Sequence, residues 1–140
     1  MHRLLADVHA DGYLATIAQI CQDSSWRECW EDIGVETLRF SDLALKPTTP
    51  DADLWEFCQT NHLLLVTANR TASGADSLEQ TIRERNTAES LPVITLANLR
   101  LFRTYRAYRE RTAIRLLEIL LDLERYRGAG RLYIPADARA

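Results

Sequence analysis

Four aspartates stand where a carboxylate is well placed for chemistry, at the end of an apolar segment or at the start of a helical one. Asp7 follows the apolar residues LLA, and Asp51, Asp53 and Asp76 lie at two predicted helix starts. Carboxylate oxygens suit hard cations such as Mg²⁺ or Mn²⁺, and a metal held in this way activates water and stabilises charge on a phosphoryl group. The set predicts a metal site, whereas Asp51, Asp53 and Asp76, each taken alone, are better explained as caps at a helix start.

A stripe of arginines near the end of the chain is the second candidate. Lys46 is the single lysine among 17 basic residues, and arginine prefers planar partners such as carboxylates and phosphates. The interpretations that stay open are a face that binds phosphates while tyrosines stack on bases, a face that pairs with acidic residues of a partner protein or of this protein itself, and a solvated face. The stripe contains Arg100, Arg103, Arg106 and Arg109, interleaved with Tyr105 and Tyr108.

The composition limits the classes of protein to which the chain can belong. We expect 140 residues to form a single domain, with a core over about residues 1–100 and a helix and short strand over about 101–135. The net charge of −3 argues against nucleic-acid binding through bulk charge. No apolar run approaches the roughly 20 residues that span a bilayer, and Asp7 and Asp11 interrupt any signal peptide. We therefore expect a cytoplasmic protein without membrane contact, whose three cysteines are reduced.

Apolar patterning indicates strands that alternate with helices, which predicts an α/β fold with a largely parallel sheet flanked by helices. Sites in such sheets lie outside the carboxyl ends of the strands, so Asp7, residues 67–70 and Asn98 are expected to share one edge. The predicted strands are 3–6, 35–40, 63–67, 91–97 and 131–135. The predicted helices are 12–21, 26–33, one that opens at Asp51, one from Asp76 to about Asn86, and one long helix over 101–126.

Three short motifs in a fixed order resemble the small PIN-like proteins of the DUF5615 type. They are LLAD at the start, D-x-x-L-W-E-F before an apolar strand that ends in Thr67, and a later strand PVITL, which together cover about the first 100 residues. The resemblance implies a three-layer PIN-like fold with an acidic, Mg²⁺- or Mn²⁺-dependent nuclease site. It makes Asp7 the acid of the first strand and Asp51 the acid of the helix start. In the metal-site hypothesis Asp53 or Asp76 adds a further carboxylate.

The third acid of that family is missing from this chain. Relatives carry it after the strand-ending Thr as T-x-D or as T-D-N-R, whereas the sequence here is Thr67-Ala68-Asn69-Arg70. In the first register Asn69 replaces the acid, and in the second Ala68 does; we favour the second, since Asn69 and Arg70 then match unchanged. An engineered substitution and a natural loss of activity predict the same residue.

Two functional hypotheses follow. The first is a PIN-like, metal-dependent ribonuclease, the toxin of a toxin–antitoxin pair, inactivated at Ala68, with Arg70 and the arginine stripe contacting RNA. The second is a non-enzymatic interaction module on a PIN-like fold, whose C-terminal helix binds a partner or forms a homodimer. A phospho-accepting receiver domain is a weaker third, because no lysine follows the 91–97 strand.

Overall fold

A computed structural model of the chain describes residues 2–68 and 77–135. The first half contains β1 (His2–Ala6), α1 (Asp11–Gln22), α2 (Arg27–Ile33), β2 (Val35–Leu38), a 3₁₀ helix (Phe40–Leu43), α3 (Asp51–Thr60) and β3 (Leu63–Ala68). The second half contains α4 (Ser77–Arg85), β4 (Val93–Leu96), α5 (Leu99–Thr104), α6 (Arg106–Leu121), a second 3₁₀ helix (Leu123–Tyr126) and β5 (Arg131–Ile134).

The five strands form one sheet in the order β2-β1-β3-β4-β5, and every neighbouring pair is parallel. The predicted α/β fold with a parallel sheet flanked by helices is therefore confirmed. The central strands β1, β3 and β4 carry almost only buried side chains near their carboxyl ends, as expected for strands covered on both faces.

Two apolar clusters lie on opposite faces of the sheet and divide the helices into two layers. On one face, Leu4, Ala6 and Val66 pack against residues of α1, α2, α5 and α6. On the other face, Leu5 and Leu65 pack against residues of α3 and α4. Since neighbouring residues of a strand point to opposite faces, the central strands β1, β3 and β4 contribute to both clusters, and the molecule has three layers.

Several element boundaries differ from the predicted ones for local reasons. The strand predicted over 35–40 ends at Leu38, because Arg39 donates its backbone N–H to Asp42 Oδ2 at 2.8 Å and the chain turns into the 3₁₀ helix. The strand predicted from Leu91 begins only at Val93. Leu91 is held instead by the side-chain amide of Gln59, which donates to its carbonyl and accepts from its N–H, both at 2.9 Å.

The prediction of one long helix over 101–126 is wrong. The chain leaves helical geometry at Tyr105, where φ is −118° and ψ is 121°, so that α5 and α6 are separate helices. The break lets α5 pack its buried Phe102 against Tyr13 of α1 while α6 packs a different set of residues against the sheet. Helix α6 ends at Leu121, and the second 3₁₀ helix follows it within the segment predicted to be one helix.

Within residues 2–68 and 77–135, no helix has the length and apolar character that crossing a membrane requires.

Candidate functional site

The carboxyl ends of β1 and β3, called the crevice below, are where a doubly wound sheet of this topology is expected to bind a ligand. From β1 the chain crosses through α1 and α2 on one face of the sheet, whereas α3 leads into β3 on the other face. The strand order 2-1-3-4-5 thus changes direction between β1 and β3, and doubly wound sheets bind ligands outside the strands at this switch point. Asp7, Thr67, Ala68 and Asn98 fall at this edge as predicted.

Asp7 begins the turn that connects β1 to α1. Its N–H extends the hydrogen-bond ladder between β1 and β3 by donating to Val66 O at 3.0 Å. Side chains alternate along a strand, and Ala6 faces the α1–α6 cluster, so the side chain of Asp7 lies on the α3–α4 face. Its Oδ1 accepts the backbone N–H of His9 at 2.9 Å. The half-buried carboxylate therefore has a structural role in this turn.

Asp51 does not cap its helix, contrary to one of the two roles considered for it. The N-cap position is Pro50, and no side chain caps the first turn. Asp51 is the first helical residue, and its Oδ2 accepts a hydrogen bond from Ser77 Oγ, the first described residue of α4. Because α3 and α4 both begin at the carboxyl edge, this contact joins the two helix starts beside the crevice. Asp53 is exposed on the same first turn.

Thr67 and Ala68 lie on opposite faces of the sheet at the end of β3. Thr67 is buried, and its hydroxyl lies 2.9 Å from that of Thr95 on β4. Ala68 packs against the cluster on the α1–α6 face. A side chain at position 68 thus approaches the edge from the face opposite to Asp7 and α3.

The described residues do not include a cluster of side chains that could hold a metal ion. Over residues 2–68 and 77–135, no three His, Cys, Asp or Glu side chains are placed to hold a metal ion. Asn69, Arg70 and Asp76 lie outside the described residues, so the two registers for the third acid stay open. Asn98, at the same edge, caps α5 by accepting the N–H of Leu101 at 3.0 Å.

The four arginines of the stripe do not share one helix face, because the break at Tyr105 separates them. Arg103 donates through Nη1 to the hydroxyl of Tyr13 at 2.6 Å, and Arg106 pairs with Glu110 at 3.1 Å. Arg109 donates through Nη1 to the carbonyls of Phe102 and Arg103 at 2.9 and 3.1 Å. It thereby satisfies carbonyls that the end of α5 leaves without helical partners. Arg100 is exposed on α5.

A cleft that the sequence did not reveal opens between the start of α1 and the α5–α6 junction. Its volume is about 580 Å³. The sequence gives no sign of this cleft, since an isolated His, Tyr or Thr in or just before α1 indicates no binding site until the positions of the helices are known. The cleft is lined by His9, Asp11, Gly12, Tyr13, Thr16, Phe102, Arg103 and Arg109.

The cysteines take no part in this site. All three are free thiols. Burial raises the pKa of Cys21 to about 11 and that of Cys58 to about 12. Both thiols are therefore protonated at neutral pH and are poor nucleophiles and poor metal ligands.

Comparison of the chain with family models, curated proteins and solved structures found no match. The functional interpretation consequently depends on the geometry of the carboxyl edge and on the resemblance of its motifs.

Proposed function

We propose that the chain is a PIN-like, metal-dependent ribonuclease, the toxin of a toxin–antitoxin pair, with its site at the crevice between β1 and β3. The observation that carries the proposal is the position of two half-buried carboxylates, Asp7 and Asp51, at the carboxyl edge on the α3–α4 face. Half-buried carboxylates are costly to desolvate, which favours a role for them.

The two carboxylates fit a hard cation. One oxygen of each accepts an internal hydrogen bond, from His9 and from Ser77, and an ionised carboxylate offers about four lone-pair sites. These hydrogen bonds orient carboxylate oxygens, which are the ligands that Mg²⁺ and Mn²⁺ prefer. Asp53 and Asp76 are further candidate ligands. The bound metal would supply an activated water and charge stabilisation at a phosphodiester.

The third acid is the element that this chain lacks. We expect the chain to be inactive with Ala68 and Asn69, and activity to return when a carboxylate is restored at the correct position. The test compares Ala68→Asp, Asn69→Asp and the double variant for cleavage of single-stranded RNA in Mg²⁺ or Mn²⁺, and for growth arrest on expression. The matched control adds Asp7→Asn to each restored variant and abolishes cleavage if Asp7 binds the metal.

The results separate the two registers and the proposal itself. Activity of Ala68→Asp alone supports the T-D-N-R register, and activity of Asn69→Asp alone supports T-x-D. If neither single variant nor the double variant cleaves RNA or arrests growth, the nuclease proposal is wrong for this protein.

The second candidate function is a non-enzymatic interaction module on the same fold. It is favoured by Ala68, which packs against apolar neighbours where the resemblance calls for an acid. A stable complex with a partner or a second copy, unchanged by Asp7→Ala and free of bound metal, supports this candidate. Loss of the complex with Asp7→Ala speaks against it.

A further inference from the structure

The cleft between α1 and the α5–α6 junction combines fixed cations with an aromatic wall. Among contacts with residues 2–68 and 77–135, Arg103 and Arg109 each donate through Nη1 alone. A guanidinium has five N–H donors in a planar fork, so both retain donors for an anionic ligand. Because internal contacts already fix the two side chains, a ligand gains their hydrogen bonds at a reduced entropic cost.

The negative charge in the cleft is partly offset. Asp11 lies 3.5 Å from the guanidinium of Arg39, measured from Oδ2 to Nε. The two arginines therefore leave the cleft with a positive balance, which favours an anion. Tyr13 adds a ring that packs edge to face on Phe102, with the centroids 5.4 Å apart, and Thr16 adds an exposed hydroxyl.

The cleft also lies close to the crevice. His9 lines the cleft, and its backbone N–H is bonded to Asp7 Oδ1. A strand of nucleic acid with one phosphate above Asp7 can therefore continue over the sheet edge into the cleft. The volume of about 580 Å³ lies within the range for small-ligand pockets, about 300–1,000 Å³.

We propose that this cleft binds one nucleotide of a single-stranded RNA, with Arg103 and Arg109 contacting the phosphate and Tyr13 and Thr16 contacting the base and sugar. The proposal rests on the proposed ribonuclease function, since it extends the substrate path from the same edge. It divides the arginine stripe, because Arg103 and Arg109 line the cleft while Arg100 does not.

The test measures binding without cleavage. A short fluorescent oligouridylate is titrated with the full chain in EDTA, at low and at moderate salt, and binding is followed by anisotropy. Arg103→Gln is compared with Arg100→Gln, since both remove one positive charge from an exposed residue of α5. We expect Arg103→Gln to weaken binding about tenfold or more, as the loss of charge-assisted hydrogen bonds predicts.

Arg100→Gln is expected to change the affinity by about twofold or less, because it alters only the general electrostatic contribution. Arg103→Lys keeps the charge but loses the fork, so an intermediate loss supports direct contact with the phosphate. This variant also serves if Arg103→Gln does not fold, which circular dichroism reveals.

Two results overturn the proposal. Equal losses for Arg100→Gln and Arg103→Gln show bulk attraction instead of a subsite. Binding of an acidic peptide at the cleft, sensitive to Arg103 and accompanied by no RNA binding, shows a protein-binding site instead. The assay contains no metal and measures no cleavage, so specific RNA binding can still be measured if the nuclease proposal fails. If the restored variants cleave RNA but binding does not depend on Arg103, the proposal that the cleft binds a nucleotide is wrong and the nuclease proposal stands.

Discussion

Thr67 and Thr95 lie side by side on adjacent strands, immediately below the carboxyl edge. Their hydroxyls are 2.9 Å apart, and both residues are nearly inaccessible to solvent. A hydroxyl in such a position is costly unless it is hydrogen-bonded, so the two residues stabilise the sheet as a pair. They also hold the ends of β3 and β4 together next to the position that carries Ala68.

The pair should show strong coupling in a double-mutant cycle. Thr67→Val removes one hydroxyl and deprives Thr95 of this partner, and we expect a loss of about 1–3 kcal/mol in the free energy of unfolding. Thr95→Val should behave similarly. The double variant should lose less than the sum of the two, since it removes both polar groups together.

Urea unfolding of the four proteins measures this coupling. Additive losses would contradict a hydrogen-bonded pair and would indicate that each hydroxyl is satisfied independently.

Asp7 and Asp51 show which features of the candidate site can be predicted from residue types alone. The position of Asp7 after an apolar strand was enough to place it at the edge. Its bond to the His9 N–H and the bond between Asp51 and Ser77 depend on tertiary placement. The latter joins residues 26 positions apart, and no local pattern predicts such a contact.

At the scale of elements, glycines set the path from the second 3₁₀ helix into β5. Gly128 has a φ of +86°, and a Cβ built there would lie 3.2 Å from Ala88 Cα and 3.3 Å from Ala88 O. Its N–H donates to Ser90 O at 2.9 Å. The turn therefore requires both the left-handed backbone region and a close approach between two backbone segments.

Gly128→Ala should destabilise the fold by about 2 kcal/mol, because it combines left-handed strain with a tight contact to backbone atoms of Ala88, which must shift slightly to admit the Cβ. Gly12→Ala is the matched control. Nothing lies within 4 Å of a Cβ at Gly12, which is in the first turn of α1. We expect this second substitution to be neutral or to stabilise by up to about 1 kcal/mol.

Thermal denaturation of both variants provides the comparison. Equal melting temperatures for Gly128→Ala and the parent protein would show that the turn relaxes without cost.

The elements were predictable where one apolar pattern determined the outcome. The nearly continuous apolar run before Thr67 predicted β3, and Gly34 ends α2 in the left-handed conformation, with φ of 74°. The segment after residue 100 misled because it lacks Gly and Pro. The structure shows the effect of the break: residues 103–107 are all exposed, between buried Phe102 and buried Thr112. A continuous helix on the sheet would bury one side of every turn, and sequence periodicity did not show that Arg109 bonds the end of α5.

At the scale of the whole molecule, the edge of the sheet opposite the candidate site holds a partly buried histidine. The amino edge joins β1 to the end of α6, where His2 is held close to Leu120 and Glu124. Burial, the largest cause, and the positive charge of the N-terminus lower the pKa of His2 from its ordinary value of 6.5, although the Leu120 backbone bond and the Glu124 charge act to raise it. Neutral His2 is thus favoured in the folded state.

Stability should therefore decline as the pH falls through the window that begins near 6.5 and ends at the lower pKa of the folded state. In that window the unfolded chain binds the proton more readily than the folded chain, which shifts the equilibrium toward unfolding. His2→Gln should reduce this decline, measured as the change in the urea midpoint between about pH 8 and about pH 5. An identical change in parent and variant would exclude His2 as a contributor.

The position of β1 in the sheet has a consequence for how the chain reaches this structure. β1 pairs on one side with β2, His2 with Val35, and on the other with β3, Arg3 with Leu63. Both pairings close long loops before any sheet contact offsets the lost entropy. Local helices should thus form early while the central strand waits for both neighbours. During that interval the unpaired backbone edges and the apolar side chains of β1 are open to other chains, so the yield of refolding should fall as the protein concentration rises.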